Sequence, residues 1–261
     1  MADAPHREPL LSIRDLGVRF DGVAALTGVS FDVYPGEICG LIGPNGAGKT
    51  TLFNAITRLV PPASGTIALA GTRIDLVPCR RVIGLGIART FQNVGVYAGM
   101  TVLENVLLGA HHRTRQYGAV ALLDPRAGRR DEAMLTAACD PILATLGLAE
   151  VRDVEAGSLP YPLLKRLEIA RALAAGPRVL LLDEPAAGLT HGEVTQLGAL
   201  IRAIRESFGV AVLLVEHHIE LVMGLCSRIV VLHLGQKLAE GTPAEVRADP
   251  AVVAAYLGAA A

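Results

Sequence analysis

Gly43-Pro44-Asn45-Gly46-Ala47-Gly48-Lys49-Thr50 fits the pattern G-x-x-x-x-G-K-[ST], and Thr51 follows it. Residues 37–42 before it are a short apolar run, and residues 49–58 after it carry a helical pattern. Strand, glycine loop and helix form the arrangement in which backbone N–H groups close around a phosphate and the helix N-terminus adds partial positive charge. On that reading residues 43–51 form a nucleotide loop, with Lys49 reaching the β- and γ-phosphates and the Thr50 hydroxyl binding Mg2+. A plain glycine turn is the alternative, and eight matching positions in this context argue against it.

The same logic extends outward. Val179-Leu180-Leu181-Leu182-Asp183-Glu184 reads as a buried strand ending in two carboxylates. Ligands of open parallel sheets bind at the carboxyl ends of strands. Asp183 is therefore expected to hold Mg2+, directly or through water, and Glu184 to polarise the attacking water as general base. An apolar run ending in Asp-Glu is by itself an ordinary strand end; beside a phosphate loop it completes the parts of phosphoryl transfer. His217 follows the apolar run 210–215 and is expected at the γ-phosphate. Gln92, after the strand pattern 87–91, could ligate Mg2+ or position water.

Further strands are expected at 12–20, 29–33, 67–70, 178–182, 229–232 and 236–239. Thr101 with Glu104, Thr190 with Glu193, and Thr242 with Glu245 are Thr-x-x-Glu capping boxes, and Pro243 suits a first helical position. Between Thr101 and Ala175 the helical pattern dominates, so an α/β core with an inserted helical block is expected.

The 261 residues suffice for one large α/β domain, and a hydrophobic content of 51% can bury a core. The formal net charge of −1 gives no global field to recruit nucleic acid or acidic lipid. No stretch reaches the roughly 20 apolar residues that span a bilayer, and the first nine residues lack a signal-peptide core, so a cytosolic chain is expected. Cys39, Cys79, Cys139 and Cys226 stand far apart, which points to buried, reduced thiols rather than a metal site.

Taken in order, the phosphate loop, Gln92, residues 159–171, Asp183-Glu184 and His217 are similar to those of ABC ATPases, over nearly the whole chain. More narrowly, Ala88-Arg89-Thr90-Phe91-Gln92-Asn93, Met100-Thr101-Val102-Leu103-Glu104-Asn105-Val106, Arg166-Leu167-Glu168-Ile169-Ala170-Arg171-Ala172-Leu173 and the closing Ala255-Tyr256-Leu257-Gly258 resemble the larger ATPase subunit of branched-chain amino-acid importers. The resemblance implies an α/β P-loop NTPase core of ABC type: a mixed sheet with flanking helices, an antiparallel β-subdomain and an inserted helical subdomain. It places the core with its β-subdomain at 10–97 and 176–242, the helical signature subdomain at 98–175 and a helical tail at 243–261. It further implies that Phe20 stacks on adenine, an ordinary core phenylalanine being the alternative, and that Gln92 lies on a loop coupled to a membrane subunit. Family members work as head-to-tail dimers in which each ATP lies between one phosphate loop and the partner's signature. They act at the cytoplasmic face of the membrane with permease subunits and, in importers, an extracytoplasmic binding protein.

The signature departs from the family pattern. Leu159-Pro160-Tyr161-Pro162-Leu163 stands where Leu-Ser-Gly-Gly-Gln or a variant keeping the later Gly-Gln is usual. Pro160 replaces a hydroxyl, Pro162 a glycine and its N–H, and Leu163 the glutamine. Losing one preorganised donor costs about 3 kcal/mol in a well-studied acyl-transfer site. Thr190 and His218 also replace usual acidic or amide residues. The expectation is an asymmetric heterodimer with a second ABC ATPase subunit, in which this chain's own site is intact and the reciprocal site is weak. A catalytically degenerate ATP-binding subunit, an ATPase of lipid or lipopolysaccharide transport, and a non-transport ABC ATPase are the alternatives. One cassette and a charge near zero argue against the last.

Overall fold

The computed structural model describes residues 8–90, 95–113 and 125–257. The chain forms two sheets. A four-stranded antiparallel sheet has the order β2-β1-β4-β5, from β1 (Leu11–Phe20), β2 (Val23–Val33), β4 (Ser64–Leu69) and β5 (Thr72–Arg73). A six-stranded mixed sheet has the order β10-β9-β3-β8-β7-β6. Its strands are β3 (Ile38–Ile42), β6 (Ile87–Arg89), β7 (Val179–Asp183), β8 (Ala211–Val215), β9 (Arg228–His233) and β10 (Gln236–Gly241). All its pairings are parallel except β10 on β9.

β3, β7 and β8 are buried at every position, which is why they read as continuous apolar runs: a parallel strand covered on both faces has no polar side to alternate. One core fills the space between the two sheets and α1 (Lys49–Ile56), with Phe53 fully buried at its centre. A second lies on the other face of the mixed sheet and includes residues of α3 (Val102–Ala110), α4 (Pro125–Thr145), α5 (Tyr161–Ala174), α6 (His191–Phe208) and α7 (Ile219–Leu225). α3, α4 and α5 all fall between β6 and β7 in the chain. Gly109 lets α3 cross α5 at contact distance, because a Cβ there would stand 1.8 Å from the Arg171 carbonyl oxygen. Phe53→Ala would cost about 3–5 kcal/mol by leaving a cavity in the first core.

The boxes at Thr101 and Thr242 cap α3 and α8 (Pro243–Ala248), each hydroxyl accepting the glutamate's N–H. At α6 the Thr190 N–H donates to Glu193 Oε2 at 2.7 Å. α9 (Pro250–Leu257) closes the described chain.

Several details differ from the sequence reading. β2 begins at Val23, six residues before the expected strand, and α2 (Cys79–Leu85) and β5 fall where no element was expected. α1 ends at Ile56 because Arg58 turns to a positive φ of 62°. Cys39, Cys139 and Cys226 are buried, but Cys79 is exposed at the start of α2. No helix among the described residues is long and apolar enough to cross a membrane.

Candidate functional site

Strand register gathers the site. Leu41 of β3 pairs with Val215 of β8, and Val215 with Asp183 of β7, so three carboxyl ends reach one edge together. The chain leaves that edge as the phosphate loop, as Glu184, and as Glu216-His217. A cleft of about 570 Å3 there is lined by Asn45, Gly46, Ala47, Gly48, Lys49, Thr50, Thr51, Glu184 and His217. Val23–Ala25 of β2 and the Leu234-Gly235 turn complete its wall.

The loop is built to pass close to its neighbours. At Gly43, φ is 155° and a Cβ would lie 2.1 Å from the Leu232 carbonyl oxygen, so no larger residue fits the start of the loop. Lys49 is only 6% exposed, and its ammonium donates to the carbonyls of Gly43 at 2.7 Å and Pro44 at 3.0 Å. Burial pushes that ammonium below the usual lysine value, while the Glu184 and Asp183 carboxylates pull it back up. Pro44 and Ala47 also share a cavity of about 620 Å3 with Ala251, Ala254 and Ala255 of α9. Burial of Tyr256 beside them raises its hydroxyl, and a hydrogen bond with the Gly43 backbone opposes the shift.

Glu184 Oε1 and His217 Nε2 meet at 2.8 Å. Glu184 itself has φ of 48°, and its N–H donates to the Val215 carbonyl at 2.9 Å, which turns the chain sharply off β7. A non-glycine residue in this region is strained and is held by its surroundings. Asp183, 3% exposed, accepts from Arg89 Nη2 at 2.7 Å through Oδ2, and its N–H donates to Thr90 Oγ1.

Glu216, Arg89 and Asn54 were not among the residues singled out from sequence. The Glu216 carboxylate is 2% exposed. It accepts the N–H groups of Ala186 at 2.6 Å and His217 at 3.0 Å, joining the loop after Glu184 to the loop carrying His217. Burial raises its pKa despite these bonds. A glutamate directly after the apolar run 210–215 was the available signal.

Phe20 ends β1, pairs with Val23 at the cleft wall, and is 46% exposed rather than buried in the core. Gln92 lies outside the described residues. Leu159, Pro160, Tyr161, Pro162 and Leu163 open α5 and do not line the cleft. Pro160 occupies the cap without a side-chain hydrogen bond, and the N–H groups of Leu163 and Leu164 both turn back to its carbonyl. The Tyr161 hydroxyl donates to the Ala187 carbonyl at 3.2 Å, tying this segment to the loop after Glu184. Lys165, 2% exposed, has its ammonium 5.6 Å from the Tyr161 ring centroid and no hydrogen-bond partner among the described residues.

Known proteins resemble this chain over nearly its whole length. The ABC transporter family profile matches residues 26–187, and a profile described as branched-chain amino acid ATP-binding cassette transporter matches residues 236–261. LivG of Escherichia coli (strain K12), a high-affinity branched-chain amino acid transport ATP-binding protein, is 41% identical over 251 residues, covering 96% of this chain and 98% of that protein. BraF of Pseudomonas aeruginosa, of the same description, is 41% identical over 250 residues with the same coverage. An ATP-binding cassette of an ABC transporter solved in its ADP conformation superposes with a TM-score of 0.83 at 30% identity, covering 96% of this chain and 99% of that one. With one phosphate loop, one pair of strand-end carboxylates and relatives matched from end to end, the chain belongs to the ABC transporter family, as an ATPase whose hydrolysis of ATP is coupled to transport.

Proposed function

We propose that the chain powers an importer of branched-chain or related amino acids, acting at the cytoplasmic face of the membrane beside permease subunits. The likeness to LivG and BraF supports the substrate class, and so does the match at residues 236–261. The single observation that carries the mechanism is the shared cleft of Lys49, Glu184 and His217, three groups delivered by three adjacent strand ends. In this reading residues 43–51 cradle the phosphates, Lys49 turns from the Gly43 and Pro44 carbonyls to the β- and γ-phosphates, and Phe20 supports adenine. Glu184 orients water and takes its proton, and His217 moves from the Glu184 carboxylate to the γ-phosphate. The Thr50 hydroxyl and the Asp183 carboxylate are hard oxygen donors suited to Mg2+, with Gln92 as a further ligand. Bound there, Mg2+ neutralises phosphate charge.

Residues 159–163 of this chain lie outside its own cleft, which supports reading the site as one completed by a second ATPase subunit. We place this chain in a heterodimer whose partner donates a standard signature. In return it offers a helix start in which Pro160 and Pro162 carry no N–H, so the partner's site is the weaker one. The test is reconstitution with the permeases, the partner ATPase and the binding protein. Amino-acid-stimulated hydrolysis that depends on this chain supports the assignment; stimulation by lipid or lipopolysaccharide alone overturns it. Robust, dimer-dependent hydrolysis by this chain alone at micromolar protein removes the asymmetry.

A further inference from the structure

Arg89 is the buried cation of the site that the phosphate-loop reading leaves unused. It ends β6, and its side chain is 6% exposed against 3% for its partner Asp183. One guanidinium nitrogen donates to Asp183 Oδ2 at 2.7 Å and another to Asn54 Oδ1 on α1 at 2.6 Å. The guanidinium carbon lies 5.4 Å from the Phe53 ring centroid. β7, α1 and an aromatic face thus hold one planar cation, which is the geometry of a fixed group rather than a surface pair that opens and closes. The other cation near these carboxylates, Lys49, spends two donors on loop carbonyls. Glu184 is bonded to His217, whose side chain is 46% exposed.

We propose that Arg89 is the resident counter-ion of Asp183 and sets the order of loading, admitting the divalent metal only together with nucleotide. This rests on the reading of Asp183 as the metal-facing carboxylate. A guanidinium on Oδ2 commits one oxygen, leaves Oδ1 outside the pair, and cancels the carboxylate charge. A bare divalent cation approaching Asp183 meets a net neutral pair and the repulsion of Arg89 in a buried setting where Coulomb effects are strong. Nucleotide phosphates supply the missing negative charge. Arg89 is therefore a positioning residue: it fixes the Asp183 carboxylate and suppresses nucleotide-free metal binding.

The experiment is a Mn2+ titration of the purified chain followed by electron paramagnetic resonance, with and without a non-hydrolysable ATP analogue. The wild type is expected to show no Asp183-dependent Mn2+ site without nucleotide. Arg89→Gln, which keeps a neutral hydrogen-bonding group, is expected to bind free Mn2+ at least about tenfold more tightly, and Asp183→Asn in that background to abolish the gain. Arg89→Lys, which keeps the charge but loses the planar fork, should gain less Mn2+ affinity than Arg89→Gln. Analogue binding in EDTA, unchanged in Arg89→Gln and Arg89→Lys, reports that the loop is folded. Nucleotide-free Mn2+ binding by the wild type that Asp183→Asn removes would overturn the proposal without needing the Arg89 variants. So would an Arg89→Gln protein that binds analogue normally and gains no metal site. If Asp183→Asn leaves Mn2+ binding with the analogue unchanged, the parent reading of Asp183 fails; if it weakens that binding while Arg89→Gln gains nothing, only the role of Arg89 fails.

Discussion

Removing the Glu216 carboxylate separates the two loops that carry Glu184 and His217. In Glu216→Ala the N–H groups of Ala186 and His217, bonded at 2.6 and 3.0 Å, lose their acceptor in a site that is 2% exposed. The His218 N–H at 3.4 Å is too long to add much. Each orphaned buried donor costs about 1–3 kcal/mol. The wild type, however, pays to desolvate the carboxylate, which is why its pKa is raised. Netting these, we expect Glu216→Ala to lose about 3 kcal/mol. For a chain of this size that is a fall in Tm of roughly 6–12 °C. Glu216→Gln keeps only one of the two acceptor oxygens, since Ala186 bonds Oε1 and His217 bonds Oε2, and should lose about 1–3 kcal/mol, less than Glu216→Ala. The linkage has a definite sign. With its pKa raised, folded Glu216 holds its proton where the unfolded chain has released it. Wild-type stability therefore falls as pH rises from the ordinary glutamate value toward the folded one. Glu216→Gln lacks this slope, so its stability relative to wild type should improve as pH rises through that window. Denaturant unfolding of both variants across pH is the assay. A Glu216→Ala protein within about 1 kcal/mol of wild type, or a Glu216→Gln gap that widens with rising pH, would refute the reasoning.

Gly43→Ala should abolish analogue binding and lower Tm in a thermal melt, since its Cβ would sit 2.1 Å from the Leu232 oxygen; unchanged nucleotide binding would show that the loop start is not constrained. Phe20→Ala should weaken nucleotide binding with little change in Tm, because the ring is 46% exposed and contributes little to the core; an equilibrium titration with fluorescent nucleotide reads this. Thr242→Ala should cost about 1 kcal/mol through the lost cap of α8, measured by urea unfolding. Its partner Glu245 has a lowered pKa from the Thr242 hydrogen bonds, so the contribution of that box should fade as pH drops through the folded value.

The fold was legible where chemistry is local. The loop from Gly43 to Thr51 is a dense motif, and β3, β7 and β8 are apolar at successive positions because both faces are covered. β2 was only half visible, since of residues 23–28 only Leu26 is buried, too few to make an alternating pattern. α2 was missed because only Val82 among its seven residues is buried, leaving no periodic stripe. In the site, Lys49 could be singled out from the loop motif, and Asp183, Glu184 and His217 because they stand at or just after strand ends. Arg89 and Asn54 could not, because their meaning lies in partners far along the chain, and the role of Glu216, although it directly follows a strand run, depends on such a partner too. Arg89 meets Asp183 across 94 residues and Asn54 across 35, and Glu216 meets Ala186 across 30. The Pro160-Tyr161-Pro162 departure was visible as an anomaly. That Tyr161 instead ties the segment to Ala187 needed the structure.

The central claim is that this chain's own site, with Glu184 as its base, hydrolyses the ATP that drives transport. The direct measurement is amino-acid uptake and ATP turnover by the reconstituted transporter carrying Glu184→Gln in this chain alone. The account predicts that nucleotide binding persists while turnover and uptake fall by about 100-fold or more; uptake and turnover at wild-type rates would contradict it and leave the chain an ATP clamp without a catalytic role.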